Sequence, residues 1–163
     1  MPLRSWPVCQ STTIQLVHLR AIIFHRKVEV RISKGPSSRF HKYKTGDVVL
    51  WFAGPHWAVT RIVGVHIFNC VAEAVTMFGA ARLLPLTLGD SLEVALACYH
   101  GVDADRAATY EQSLLIDRKR RVHAFVLQPL EYFLGQVNAL PTCDSPTRLV
   151  PVNHGTFMTF SDY

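Results

Sequence analysis

The sequence predicts an α+β domain, a small β-barrel with flanking helices. Three observations predict it. Residues 27–33 alternate strictly, with Val28, Val30 and Ile32 on one face and Lys27, Glu29 and Arg31 on the other. Two apolar runs, 48–52 and 57–65, are joined by Gly54-Pro55 in the manner of a hairpin in a barrel wall. Between them and a further apolar run at 122–127, the pattern changes to helical spacing. At 163 residues the chain suits one domain with one real core.

Taken in order, residues 1–10 hold two prolines and no periodicity and read as an irregular arm. Residues 12–17 can form a first strand. Leu19, Ile22 and Ile23 then place a short helix over 18–27 with one face inward. After the alternating strand comes a basic loop, 34–44, with Gly35-Pro36-Ser37-Ser38 at its tip, and then the turn signal Thr45-Gly46-Asp47. Asn69 is a natural N-cap for a helix striped by Val71, Val75 and Phe78. Asp90 and Glu93 have capping-box spacing ahead of Leu92, Leu96 and Tyr99, and Gly101 stops that helix. Residues 103–114 hold a further helical turn, 118–121 are a basic run, and Pro129 ends the strand begun at 122. The domain proper is expected over 11–132. The extension 133–163 carries Pro141, Pro146 and Pro151 and one edge strand near 156–160. The expected barrel core is Val28, Val30, Ile32, Val48, Leu50, Val63, Phe125 and Leu127.

Composition narrows the function classes. Apolar residues make up 49% and charged residues 18%, a globular balance. The apolar stretches 48–60 and 62–72 are divided by Arg61, and each is well short of the roughly 20 residues that cross a bilayer. No membrane partner is expected. Cys9, Cys70, Cys98 and Cys143 lie far apart without a C-x-x-C pair, and the eight histidines show no ligand spacing. We therefore expect free thiols in a reducing compartment, cytoplasm or nucleus, with no metal and no cofactor. The acid-free first 28 residues leave a mitochondrial address open. Residues 1–47 hold nine Lys/Arg against Glu29 and Asp47, whereas the remainder holds eight against ten acids. The whole excess of +5 thus comes from the first third. Such a field attracts polyanions, although it can also serve solubility alone.

The order strand, helix, strand, Gly-Asp turn, hairpin, helices, strand carries a family resemblance. Phe24–Ile32 (FHRKVEVRI) followed by KTGDVVLWF at 44–52 is similar to the ASCH family of the PUA-like superfamily over about residues 12–130. Typical members carry Gly-x-Lys-Thr-x-Glu-x-Arg and then a Gly-Asp turn. Glu29, Arg31, Gly46 and Asp47 match. Phe24 stands at the glycine, Arg26 at the lysine and Lys27 at the threonine. The resemblance implies a β-barrel with a cleft that binds RNA or modified bases, often alongside protein partners in RNA-processing or transcription complexes. Similar small bacterial members are amidohydrolases that deacylate acetylated cytidine with the motif lysine, a nearby hydroxyl and a helical acid.

Three readings follow. The first is a reader of RNA or a nucleotide, with Arg26, Lys27, Glu29, Arg31, Arg39, Lys42 and Lys44 as contacts and Gly46-Asp47 as the turn supporting the cleft. Glu29 would accept from a base amino group, Arg31 would meet a phosphate or stack, and the loop cations would hold the backbone. An ordinary exposed Glu29–Arg31 pair, worth a few tenths of a kcal/mol, is the bland alternative. Trp51, Trp57 and Tyr99 are expected in the core, and 118–121 is a second phosphate candidate or a solvated turn. The second reading is an amidohydrolase on N-acylated cytidine-like nucleosides. It needs a lysine whose proton can move. Arg26 cannot supply it, Lys27 and Glu29 share a face and are the only candidate catalytic pair, and no acid lies in 82–88. The third is a protein-interaction scaffold. The residues favour the reader.

Overall fold

The computed structural model describes residues 6–135, together with the backbone of 149–151 and 157–159. Five strands form one sheet in the order β1-β3-β4-β5-β2. These are β1 (Val8–Thr13), β2 (Glu29–Ile32), β3 (Val48–Ala53), β4 (His56–Phe68) and β5 (Val122–Phe133). Neighbours pair antiparallel except β1 with β3. The sheet curls into a half-barrel whose two edges, β1 and β2, are not joined by a backbone ladder. Instead Arg31 Nη2 of β2 donates to the Thr13 carbonyl oxygen of β1 at 3.0 Å. This α+β half-barrel is the architecture the alternation predicts.

Both faces of the sheet are covered. On the face of Trp51, Phe125 and Leu127 lies helix α1 (Leu16–His25), through Leu16, Leu19 and Ile22. On the face of Val28, Val30, Val122 and Ala124 lie α2 (Val71–Phe78), α3 (Ala80–Leu83), α4 (Leu92–His100) and α5 (Ala104–Ile116). Val28, Val30, Val48, Phe125 and Leu127 are buried as expected, and Ile32 and Leu50 are half-buried. Val63 is not: it is exposed, because the β4–β5 register shifts between Ile62 and Gly64. The extra residue of this bulge turns outward and Ile62 fills the core.

Several boundaries differ from the sequence expectation, each for a local reason. Residues 8–10, expected to be irregular, belong to β1, where β3 supplies a partner. Pro129 does not end β5, which runs to Phe133. A register shift between Val59 and Thr60 sits opposite it and absorbs the missing N–H. Asn69 is not the cap of α2. Cys70 holds that position, and the Glu111 carboxylate of α5 accepts from the Val71 and Ala72 N–H groups at 3.0 and 2.6 Å. Ser91, not Asp90, caps α4 by accepting from the Val94 N–H at 3.2 Å, and Gly101 closes that helix in the left-handed region at φ +66. α5 extends over three turns rather than one. The backbone of β6 (Leu149–Pro151) and β7 (Phe157–Thr159) pairs antiparallel. The rest of the expected extension, with Pro141, Pro146 and Cys143, lies outside the described residues, as do residues 1–5.

Candidate functional site

The site grows from the end of α1. Arg26 closes that helix in the left-handed conformation, φ +52, the only positive φ of a non-glycine among the described residues. Its side chain is exposed. The reversal delivers Lys27 and Glu29 to the inner side of the sheet. The pairing Glu29↔Phe125 and Arg31↔His123 puts Glu29 and Arg31 on the face of Phe125 and His123.

Lys27 and Glu29 are both buried, at 2% each. Lys27 Nζ donates to Glu29 Oε1 at 2.9 Å and to the Val28 carbonyl at 3.1 Å, and it lies 5.6 Å from the Tyr99 ring centroid. Glu29 Oε1 also accepts from the Val30 N–H at 3.0 Å, and Oε2 accepts from Arg31 Nη2 at 3.4 Å. Burial pushes the Glu29 carboxyl up, but Lys27 and Arg31 more than offset that and hold it at about 2. Burial pulls the Lys27 ammonium below its ordinary value, and Glu29 opposes the fall. His18 of α1 stands nearby with its pKa driven to about 4 by burial and then by Lys27. Its Nε2 is 3.9 Å from Cys98 Sγ. The Tyr99 hydroxyl donates to the Leu83 carbonyl, so that residue ties the site to the helical layer.

Toward solvent the cluster continues through Arg31 and the basic loop. The Arg31 guanidinium lies 5.3 Å from the Trp51 ring centroid and 5.8 Å from that of Phe40. Phe40 sits in a 3-10 turn, Arg39–Lys42, capped by the Ser38 hydroxyl. Arg39 lies 5.2 Å from the same Phe40 ring and donates to Thr12 Oγ1 at 2.6 Å and the Ser11 carbonyl at 3.4 Å. Two guanidinium groups therefore flank one aromatic ring at the seam between β1 and β2. Trp51 is fully buried and its Nε1 donates to Thr60 Oγ1 at 2.8 Å.

The structure thus brings together Lys27, Glu29 and Arg31, sets the exposed Arg39 against the same Phe40 ring as Arg31, and leaves Arg26, Lys42 and Lys44 exposed as well. Gly46 takes φ +97, and Asp47 Oδ2 accepts from the Lys44 N–H at 3.1 Å, so this turn anchors the base of the loop. The 118–121 run is a solvated turn with Arg120 paired to Asp117 at 3.1 Å. Sequence reasoning missed His18, Phe40, Tyr43 and His123, which line the same region. The one signal for His123 was a polar residue inside an otherwise apolar strand. Among the described residues no three His, Cys, Asp or Glu side chains converge as a metal site. Nor is any helix among them long and apolar enough to cross a membrane.

Two solved structures share this fold. The crystal structure of hypothetical protein PH0355 aligns with a TM-score of 0.54 at 16% identity, covering 74% of this chain and 98% of that one. The solution structure of protein PF0455 from Pyrococcus furiosus aligns with a TM-score of 0.50 at 21% identity, covering 76% and 97%. At these identities they establish the fold and nothing about activity. No protein-family model matches the chain, and no curated protein matches it.

Proposed function

We propose that this chain is an ASCH-type, PUA-like binding module for RNA or a nucleotide, acting in RNA metabolism or in transcription-coupled machinery. The observation that carries the reading is the charge imbalance at the seam. Lys27 and Arg31 converge on a single carboxylate, Glu29, and the Arg31 and Arg39 guanidiniums share the Phe40 ring. An anionic group is the natural complement, and the flat faces beside it suit a base. Lys42 and Lys44, exposed on the same loop, extend the basic surface for a phosphate backbone.

Fluorescence anisotropy with labelled single-stranded RNA at several salt concentrations tests this. Neutralising Lys42 and Lys44 together should weaken all sequences alike and reduce the salt slope by roughly 1.4. Arg31→Lys keeps the charge but loses the fork, and should cost about 1–3 kcal/mol for the preferred ligand. Absence of binding by wild type at low salt would leave the basic field as a solubility device and put the scaffold reading first.

One observation favours a second reading, the amidohydrolase on N-acylated cytidine-like nucleosides. Lys27, not Arg26, takes the buried position beside Glu29, and its pKa is lowered by burial. That supplies a movable proton, which the arginine could not. Against it, Lys27 Nζ is already engaged by Glu29 and the Val28 carbonyl, and no carboxylate of the helical layer joins this pair among the interactions around it. We expect no turnover of N4-acetylcytidine by chromatography. Turnover lost in Lys27→Met and Glu29→Gln would reverse the order of the two readings.

A further inference from the structure

The inner face of the half-barrel holds two polar side chains that the fold buries without using. His123 of β5 is fully buried, and neither ring nitrogen has a hydrogen-bond partner among the described residues. Tyr43, just past the Arg39–Lys42 turn, is 3% exposed, and its hydroxyl likewise has none. A buried polar group left unpaired is destabilising, and a chain that carries two has a reason to keep them. Both border one residue. The Tyr43 ring centroid is 5.4 Å from that of Phe125, and the His123 ring stacks on Phe125 at 6.1 Å with an interplanar angle of 15°.

Their position is as informative as their lack of partners. His123 is the cross-strand neighbour of Arg31 and so lies on the same face, next to the guanidinium at the seam. The turn Arg39–Lys42 lies over this region: Phe40 packs edge-on to Tyr43 at 5.4 Å, and His41 packs edge-on to His123 at 4.7 Å. His41 is exposed and bonded to the Gly35 carbonyl at 3.0 Å, so the cover is a surface turn, held on this side by aromatic edges. Swinging the exposed His41 ring aside, with the turn backbone and Arg39 left in place, would open an aromatic slot with a hydroxyl and an imidazole on its wall and two guanidiniums at its mouth.

We propose that this slot is the base-recognition subsite, in which Tyr43 and His123 hydrogen-bond the edge of one flat, aromatic base whose phosphate is held by Arg31 and Arg39. This deepens the reading above and rests on it. The ligand class is a nucleotide, either free or as one unpaired nucleotide of an RNA strand whose base is turned into the protein. A neutral imidazole offers one donor and one acceptor, and a phenol offers both, so the pair can meet the mixed donor–acceptor edge of a base. Burial and then His41 hold the His123 pKa at about 4, and burial raises that of Tyr43, so both groups are neutral at pH 7. Neither competes with the arginines for the phosphate.

The test uses Tyr43→Phe, His123→Phe and the double variant of the full chain. Each removes an unpartnered polar group and keeps an aromatic ring. If these groups only fill the core, stability should hold or rise and binding should not change. If they read a base, affinity should fall about tenfold or more in at least one variant while the urea midpoint is unchanged or higher. Binding is measured by anisotropy with fluorescein-labelled RNA eight-mers of each single base, and by calorimetry with the four nucleoside 5′-monophosphates. Variant-sensitive binding of the monophosphates assigns a free nucleotide, and variant-sensitive binding of RNA alone assigns a nucleotide within a strand. Wild-type affinity in the double variant, with Arg31→Lys still weakened, overturns the subsite and leaves the binding module standing. No binding by wild type to any of these probes at low salt overturns both.

Discussion

Glu29→Gln should be among the most destabilising isosteric substitutions in this protein, and the structure gives its size by two routes. The carboxylate is 2% exposed and accepts from Lys27 Nζ, the Val30 N–H and Arg31. Glutamine keeps the shape but removes the charge, leaving Lys27 buried without a counter-ion. Removing one partner of a buried pair costs about 3–5 kcal/mol. Independently, the carboxyl is held at about 2 against an ordinary 4.5. At about 1.4 kcal/mol per pH unit, that corresponds to roughly 3 kcal/mol of folding free energy at neutral pH. A depressed carboxylate pKa stabilises above the unfolded value and loses its contribution as pH falls through the folded one. Wild type should therefore lose this increment between about pH 4.5 and 2, and the variant should not. Urea unfolding at a series of pH values measures both curves. They should lie about 3 kcal/mol apart at pH 7 and converge toward pH 2. A gap below about 1 kcal/mol at pH 7, or one that does not close on acidification, would refute the assigned electrostatics.

Other substitutions test the rest of the frame. His18→Phe should flatten the loss of stability between about pH 6.5 and 4, since a buried imidazole held at about 4 must charge when the chain unfolds in that range; acid titration followed by circular dichroism reads it. Glu111→Ala should cost about 1–3 kcal/mol in urea unfolding, because it strips the Val71 and Ala72 N–H groups of their acceptor and leaves His100, 3.0 Å away, without its carboxylate. Gly46→Ala should cost roughly 1–2 kcal/mol through backbone strain at φ +97, since nothing within 4 Å obstructs a Cβ there; an equal loss of RNA affinity would place the turn in the binding surface as well.

The sequence showed the sheet and most of the helices because alternation and helical spacing are local. It misplaced Val63 because a bulge is a property of two strands, and only the partner, β5, reveals that Ile62 and Gly64 face consecutive residues. It placed the caps of α2 and α4 one residue early. For α2 the acceptor comes from Glu111, 40 residues away, and no local rule could find it. At the site, alternation put Lys27, Glu29 and Arg31 on one face but could not say how deep they lie. Their depth is set by α1 and by Tyr99 of α4 closing over them, contacts made between residues far apart in sequence. Nor could alternation show that the left-handed residue ending α1 leaves Arg26 exposed and Lys27 buried.

The open seam explains why the polar residues are where they are. A barrel closed by a β1–β2 ladder would satisfy both edges with backbone bonds and leave no entrance to its inner face. Here Arg31 of β2 reaches Thr13 of β1, and Arg39, from the 3-10 turn that follows β2, reaches Ser11 and Thr12. An unpaired edge invites association with other chains, and charged side chains at the edge are one remedy. The same two arginines therefore have a structural reason to be there, independent of any ligand. Unlike a ladder, though, a guanidinium clasp can exchange a carbonyl for a phosphate oxygen without breaking the sheet. The distinction is measurable: hydrogen exchange at the β1 and β2 edges should slow when nucleotide binds if the clasp and the ligand act together. It should quicken if the phosphate takes the arginines away from β1.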